Sequence, residues 1–224
     1  MIEIEVDAEK LEEARRRLAK VPYATQRAIL PAMREMLDNA AKQLAESLEA
    51  DVPLPPRLIR QAIKIAGVRL EGDRVVGEIN VRGKHVPLIH YDAQPGDITA
   101  RKGIVSRDWP GFTYALRAGE RRASSALIKG AGLPFIAQMP GGHVGVYFRT
   151  GKLAGGTRKT GLWGKGRSGI KDHAAIKQLH GPDVQYHVAS PEVEGAIVER
   201  AEAEFPAILA RHVERALAEF GGAE

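Results

Sequence analysis

The sequence predicts an α+β fold, with N-terminal helices packed on a small antiparallel sheet, long Gly/Lys/Arg-rich loops and a C-terminal helix. Three observations predict it. Apolar residues recur at helical spacing at both ends of the chain. The period falls from 3.6 to 2 near residue 63. Between Asp92 and Ala175 the chain carries 16 of its 24 glycines. Helices, then strands, then a helix is the order of an α+β protein rather than of an alternating one. We read 1–224 as one domain: helices over 1–51, a β-meander over 63–91, a basic glycine-rich arm over 92–175 that includes a hairpin at 133–149, and a last helix over 190–220.

Each element has a local reason. Asp7 is placed to cap a first helix whose apolar positions are Leu11, Ala14, Leu18 and Val21. Pro22 interrupts it. A longer helix follows from Thr25 to Ala50, with Ile29, Met33, Leu37, Ala40, Leu44 and Leu48 in one stripe. Pro31 lies near its start, where proline is best tolerated. Asp51-Val-Pro-Leu-Pro-Pro56 ends the helix, and Pro56 opens a short turn at Arg57–Ala62. Ile63, Ile65 and Val68, then Val75, Val76, Ile79 and Val81, then Val86–Tyr91 read as three successive strands. A helix is expected around Tyr114–Ile128, a β pair at Leu133–Met139 and Val144–Arg149, and an open loop over Lys152–Asp172. Ile176–Val188 reads as extended. Ser190-Pro191 starts the last helix, whose apolar side is Val193, Ile197, Phe205, Ile208, Val213 and Leu217, with a kink expected at Pro206. There are no internal repeats. The hairpin is expected to cover the long helix's stripe, because both have one apolar face and little else to bury it.

Charge is divided along the chain. Residues 92–175 hold 14 Lys and Arg against 5 Asp and Glu, whereas 1–51 hold 8 against 11 and 191–224 hold 3 against 8. A basic arm between acidic helices suits a protein that meets a polyanion or slots into an assembly. The core is modest, since aromatics make up only 5% of the residues. There is no cysteine, which removes disulfides, thiolate metal sites and cysteine nucleophiles. The acidic start, Met1-Ile-Glu-Ile-Glu-Val-Asp7, lacks the pattern of a signal peptide, and no run approaches the roughly 18 apolar residues of a membrane span. A soluble protein made in a cytoplasm is expected.

Catalytic patterns are missing or only apparent. Gly164-Lys-Gly-Arg-Ser-Gly169 matches G-x-G-x-x-G, but no β-branched strand leads in and no acidic residue follows at the required distance. Gly156-Thr-Arg-Lys-Thr-Gly161 has phosphate-loop spacing, but Leu162-Trp163 stand where Lys and Ser/Thr would grip phosphate and magnesium. His85 and His90, five apart on the expected strand, would point to opposite faces, and no third ligand accompanies His90 and Asp92. Ser124-Ser125 beside Arg121-Arg122 reads as a solvated helix end. No enzyme, metal or cofactor is expected.

Three segments carry a pattern: Arg82-Gly-Lys-His-Val-Pro-Leu-Ile-His90; Leu133-Pro-Phe-Ile-Ala-Gln-Met-Pro-Gly-Gly-His-Val-Gly-Val-Tyr-Phe-Arg149; and Ile176-Lys-Gln-Leu-His-Gly-Pro-Asp183. With the paired N-terminal helices and the closing acidic helix, their order resembles the minor tail protein Z family of long-tailed phages and prophages, the tail completion proteins of lambda-like tails. Ala154–Gly169 is longer and richer in glycine than the family pattern. The resemblance implies a structural virion protein, made in the bacterial host cytoplasm and carried in the tail. It implies a homo-oligomeric ring matching the tail's sixfold symmetry, placed between the tail tube or terminator and the head connector.

Two sets of residues are singled out on that reading. Arg101, Lys102, Arg107, Arg117, Arg121 and Arg122 precede the hairpin, and Lys152, Arg158, Lys159, Lys165, Arg167 and Lys171 follow it. They would face the genomic DNA in a channel, without reading its sequence, or pair with acidic helices of the next subunit. Trp109, Phe112, Tyr114 and Trp163 are expected to anchor subunit contacts, since aromatics dominate interfaces. The rival reading is a free, non-specific nucleic-acid-binding module.

Overall fold

A computed structural model describes residues 2–6, 8–19, 23, 25–71, 74–94, 112–123, 134–139, 141–153 and 174–221. The fold is α+β, with helices, small antiparallel sheets and a long C-terminal helix. The chain forms two compact units. The first comprises Met1–Asp51, Pro55–Lys84 and Pro182–Glu224, and the second Val52–Leu54 and His85–Gly181.

In the first unit, β1 (Ile2–Val6) and β2 (Ile63–Glu71) flank β3 (Arg74–Val81), each antiparallel to it, in the order β1-β3-β2. The reading of Val86–Tyr91 as the meander's third strand is corrected here: the third strand is β1. Its Ile-Glu-Ile-Glu-Val alternates with period 2, and Ile2, Ile4 and Val6 are buried while Glu3 and Glu5 are exposed. Val86–Tyr91 does not join this sheet: Pro87, whose missing N–H is not needed at a non-hydrogen-bonded position, makes an isolated antiparallel bridge with His180. Residues 88–90 turn instead into a single 3-10 turn, closed by the Tyr91 N–H to the Leu88 carbonyl at 3.0 Å.

Helix α1 (Ala8–Arg17) buries Leu11 and Ala14, and Leu18 just beyond it is buried too. Asp7 and Val21, the expected cap and last apolar position, lie outside the described residues. Helix α2 (Leu30–Asp51) is preceded by a π turn over Thr25–Ile29. Pro31 has no N–H for the Arg27 carbonyl and its ring crowds that carbonyl, so the wider turn falls just before it. The expected stripe is buried throughout: Ile29, Met33, Leu37, Ala40, Leu44 and Leu48. What covers it differs from expectation. β3 and β2 lie on one side of α2 and α5 (Pro191–Gly221) on another, while the 135–149 hairpin belongs to the second unit. The helix lies so close to β3 that a Cβ at Gly77 would stand 2.7 Å from Met33 Cε and 2.8 Å from Leu37 Cδ1.

α5 supplies Phe205, Ile208, Leu209, Val213 and Ala216 to this core. The Ser190 carbonyl accepts from the Val193 and Glu194 N–H groups at its start. Glu35 of α2 meets Arg211 and buried His212 of α5, the latter at 2.8 Å. Those hydrogen bonds, His212 first, hold the Glu35 carboxyl below the ordinary carboxylate range against the opposing effect of burial. The short helix α3 (Pro56–Ala62) begins at Pro56 as its N-terminal position allows. The segment expected to run extended to Val188 breaks instead at Asp183, whose carboxylate accepts the Tyr186 N–H at 2.9 Å and caps α4 (Val184–Val188).

Candidate functional site in the second unit

The second unit is where the sequence motifs meet. β6 (Phe135–Gln138) and β7 (Val144–Leu153) form the expected hairpin, in register from Phe135 opposite Tyr147 to Gln138 opposite Val144. β8 (Ala174–Gln178) joins β7 from the other side, giving the order β6-β7-β8. Just past β8, the Leu179 N–H reaches the Val146 carbonyl at 2.8 Å. The same stretch then turns to the 86–88 segment. The Leu179 carbonyl accepts from Leu88 N at 3.0 Å, and Gly181 N donates to the Val86 carbonyl at 2.8 Å. All three segments that carry the family pattern are thus tied into one hydrogen-bonded assembly, although about ninety residues separate the first from the last.

The pattern's small and aromatic residues have packing roles there. Tyr91 is fully buried, and its ring lies under Gly181: a Cβ at 181 would stand 2.5 Å from Tyr91 Cε2. Phe135 and Tyr147, opposite one another, stack at 6.3 Å between centroids, a tilted pair within the favourable range. At the hairpin tip, Gln138 Nε2 donates to the Gly142 carbonyl at 3.2 Å, and Gln178 Nε2 meets His143 Nε2 at 3.0 Å. His90 keeps an exposed surface, yet partial burial of its ring and the charge of nearby His143 hold its pKa below the ordinary imidazole value. His85 and His90 lie in no strand, so their spacing of five does not set them on opposite faces as expected. Among the described residues no group of three or more His, Asp or Glu could hold a metal ion.

The helix expected around Tyr114–Ile128 is replaced, over its described part, by a hairpin of β4 (Thr113–Arg117) and β5 (Glu120–Ala123). Gly119 at its turn has φ +80, a conformation that glycine takes without cost and that a continuous helix cannot hold. The irregular stretch before the loop lies along β4. Gln94 and Thr113 exchange both backbone hydrogen bonds, at 2.7 and 2.9 Å, and Ala115 N donates to the Tyr91 carbonyl at 2.9 Å. Asp92, at φ +45, makes the turn that permits this.

Of the basic residues expected to face DNA or a neighbour, four fall in described segments. Arg121 is bound to the Asp92 carboxylate and to Thr113 Oγ1 at 3.0 Å, so it clamps the 92–94 stretch to β4. Arg122 pairs with Glu120 at 3.3 Å. Arg117 lies on β4 and Lys152 near the end of β7. Arg101, Lys102, Arg107, Arg158, Lys159, Lys165, Arg167 and Lys171 lie outside the described residues, as do Trp109 and Trp163.

Phe112 and Tyr114 are a correction. Expected to anchor a neighbouring subunit, they are 3% and 4% exposed, packed at 6.1 Å in this unit's own core. Phe112 immediately precedes β4 and Tyr114 lies in it, two positions on. Burial raises the Tyr114 phenol pKa, and Arg122, across the ladder from it, partly offsets the rise. The strongly exposed tyrosines are Tyr23 and Tyr186, which sequence reasoning did not single out. No described helix is long and apolar enough to cross a membrane. The chain matches no protein-family model, no curated protein and no solved structure, so the likeness to tail completion proteins rests on the residues and their order.

Proposed function

We propose that this chain is a structural virion protein that completes the head-proximal end of a long phage or prophage tail and helps join it to the head connector, as a homo-oligomeric ring around the DNA channel. One observation carries the reading. The segments that resemble the tail family are far apart in sequence, yet 86–88, 144–148 and 176–181 hydrogen-bond to one another. A chance likeness of short motifs has no reason to converge on one structural element. The basic arm fits the role, because phosphate attraction is sequence-independent and lets DNA slide. No catalytic step is assigned to it.

The test is deletion of the gene from the phage or prophage that encodes it. Filled heads and tails that fail to join, restored by the gene in trans, are expected. The protein should also co-purify with tail tube or connector proteins. Normal infectious particles from the deletion would refute the joining role. The alternative, a free nucleic-acid-binding module, requires the isolated chain to shift random duplex DNA with a steep salt dependence. The pairing of Arg121 and Arg122 to carboxylates reduces the charge that their hairpin offers such a ligand.

A further inference from the structure

We infer that the two outer edges of the β1-β3-β2 sheet bind one another between copies of this chain, with β1 of one copy lying along β2 of the next. The inference deepens the ring reading above and rests on it only for the claim that the chain works as a homo-oligomer.

β2 is a nine-residue edge strand with a free side: among the described residues, no strand pairs with it besides β3. Its register sets Ile63, Ile65, Val68 and Leu70 opposite Val81, Ile79, Gly77 and Val75, the row that faces α2. That row runs beyond the helix's cover, leaving Ile65 36% and Leu70 45% exposed. Beside it lies a groove of about 340 Å³ lined by Ala41, Lys42, Ala45, Glu46, Arg60 and Ile63. A long, partly apolar edge is a template for an added strand, whose main chain supplies hydrogen bonds.

Charge selects the occupant. On the face away from α2, β1 presents Glu3 and Glu5, held by Arg69 and Arg74 of their own sheet. β2 presents Lys64, Arg69 and Glu71; Arg69 is paired within its own sheet with Glu3, Glu71 and Glu78, so Lys64 is the cation this row offers a neighbour's Glu3 or Glu5. A β1–β1 contact would set four carboxylates together. A two-fold β2–β2 contact with matched apolar rows would set Lys64 beside Arg69, since the bulge between Ile65 and Gly67 offsets the two halves of the strand. Only β1 against β2 joins rows of opposite net sign. Both strands are antiparallel to β3 and so run in the same direction, and a copy generated by rotation about a ring axis offers β1 parallel to β2. Such a contact uses two different surfaces, the type that generates a ring when its rotation closes.

The chain has no cysteine, so single cysteines report the contact without background. Copies carrying Glu3→Cys or Glu5→Cys are mixed with copies carrying Lys64→Cys and oxidised. Mixed cross-links should exceed like-with-like ones. In parallel, Ile65→Lys should abolish the oligomer in sedimentation velocity while the monomer keeps its circular-dichroism spectrum, since the side chain is 36% exposed and a lysine there can reach solvent. Dominant Lys64→Cys self-cross-links would overturn the inference in favour of a two-fold contact. An oligomer that survives Ile65→Lys with no mixed cross-links would overturn it too, while leaving the ring reading to another surface. A chain that is monomeric at every concentration also overturns the edge contact. The joining role then stands or falls on the gene-deletion result alone.

Discussion

At the scale of single residues, two glycines in packed places make contrasting predictions. At Gly181 a methyl group would press into the ring of Tyr91, which is fully buried and has nowhere to move. Gly181→Ala should therefore cost about 1–3 kcal/mol, the usual range for overpacking. At Gly77 the obstructing atoms are the flexible ends of Met33 and Leu37, so Gly77→Ala should cost less. Denaturant unfolding of the two variants checks the order. A second prediction concerns pH. His90 is held below the ordinary imidazole pKa, so the unfolded chain binds the proton more readily and stability falls as pH drops through about 6.5. Glu35 has a depressed pKa, so its contribution is complete above the carboxylate range, about 4.3, and is lost only as pH falls below that. The second unit should loosen first on acidification. Hydrogen exchange across the two pH ranges reports this, and His90→Gln should reduce the earlier transition.

At the scale of elements, the long helix and the hairpin were expected to share a core, and they fall in different compact units. Leu44 is fully buried in the first unit and Ile136 is 6% exposed in the second. Aspartate at either site buries an unpaired charge, at a cost above about 3 kcal/mol. Leu44→Asp should expose α2, β3 and α5 to proteolysis, and Ile136→Asp should expose the β6-β7-β8 sheet. Cleavage of both units by one substitution would show that they unfold together. The β4–β5 hairpin gives a milder case. Arg121→Ala removes a surface ion pair, worth about 0.2–1 kcal/mol, and should chiefly free the 92–94 stretch, which is visible as faster exchange of the Gln94 and Thr113 amides.

At the scale of the whole molecule, the charge division of the sequence is the property that the proposed role uses. Reversal of Arg158, Lys159, Lys165 and Arg167 to Glu, all outside the described residues, tests that use of the charge. If the arm lines a channel, particles assemble but position or eject their DNA poorly. If assembly itself fails while DNA handling in the surviving particles is normal, the charges belong to a subunit contact. Electron microscopy of particles and an ejection assay separate the two results.

The α+β class, the buried stripe of α2, the closing helix and the 135–149 hairpin are legible in the residues alone, because each has a strong period and local stop signals. It also held signals that went unread. Ile2–Val6 alternates strictly, but its acidity drew attention as a terminus rather than as a strand. Asp183 stood ready as a cap. Which faces meet is set by non-local packing. The stripe of α2 has no local information about its cover, and β2, β3 and α5 supply it. Phe112 and Tyr114 look like anchors when their segment is read as an open basic arm. In the fold the ladder with β5 and the bonds to Tyr91 and Gln94 turn them inward. Non-local pairing also brought the three motif segments together, since a strand's hydrogen bonds are made to a partner that its own residues do not specify.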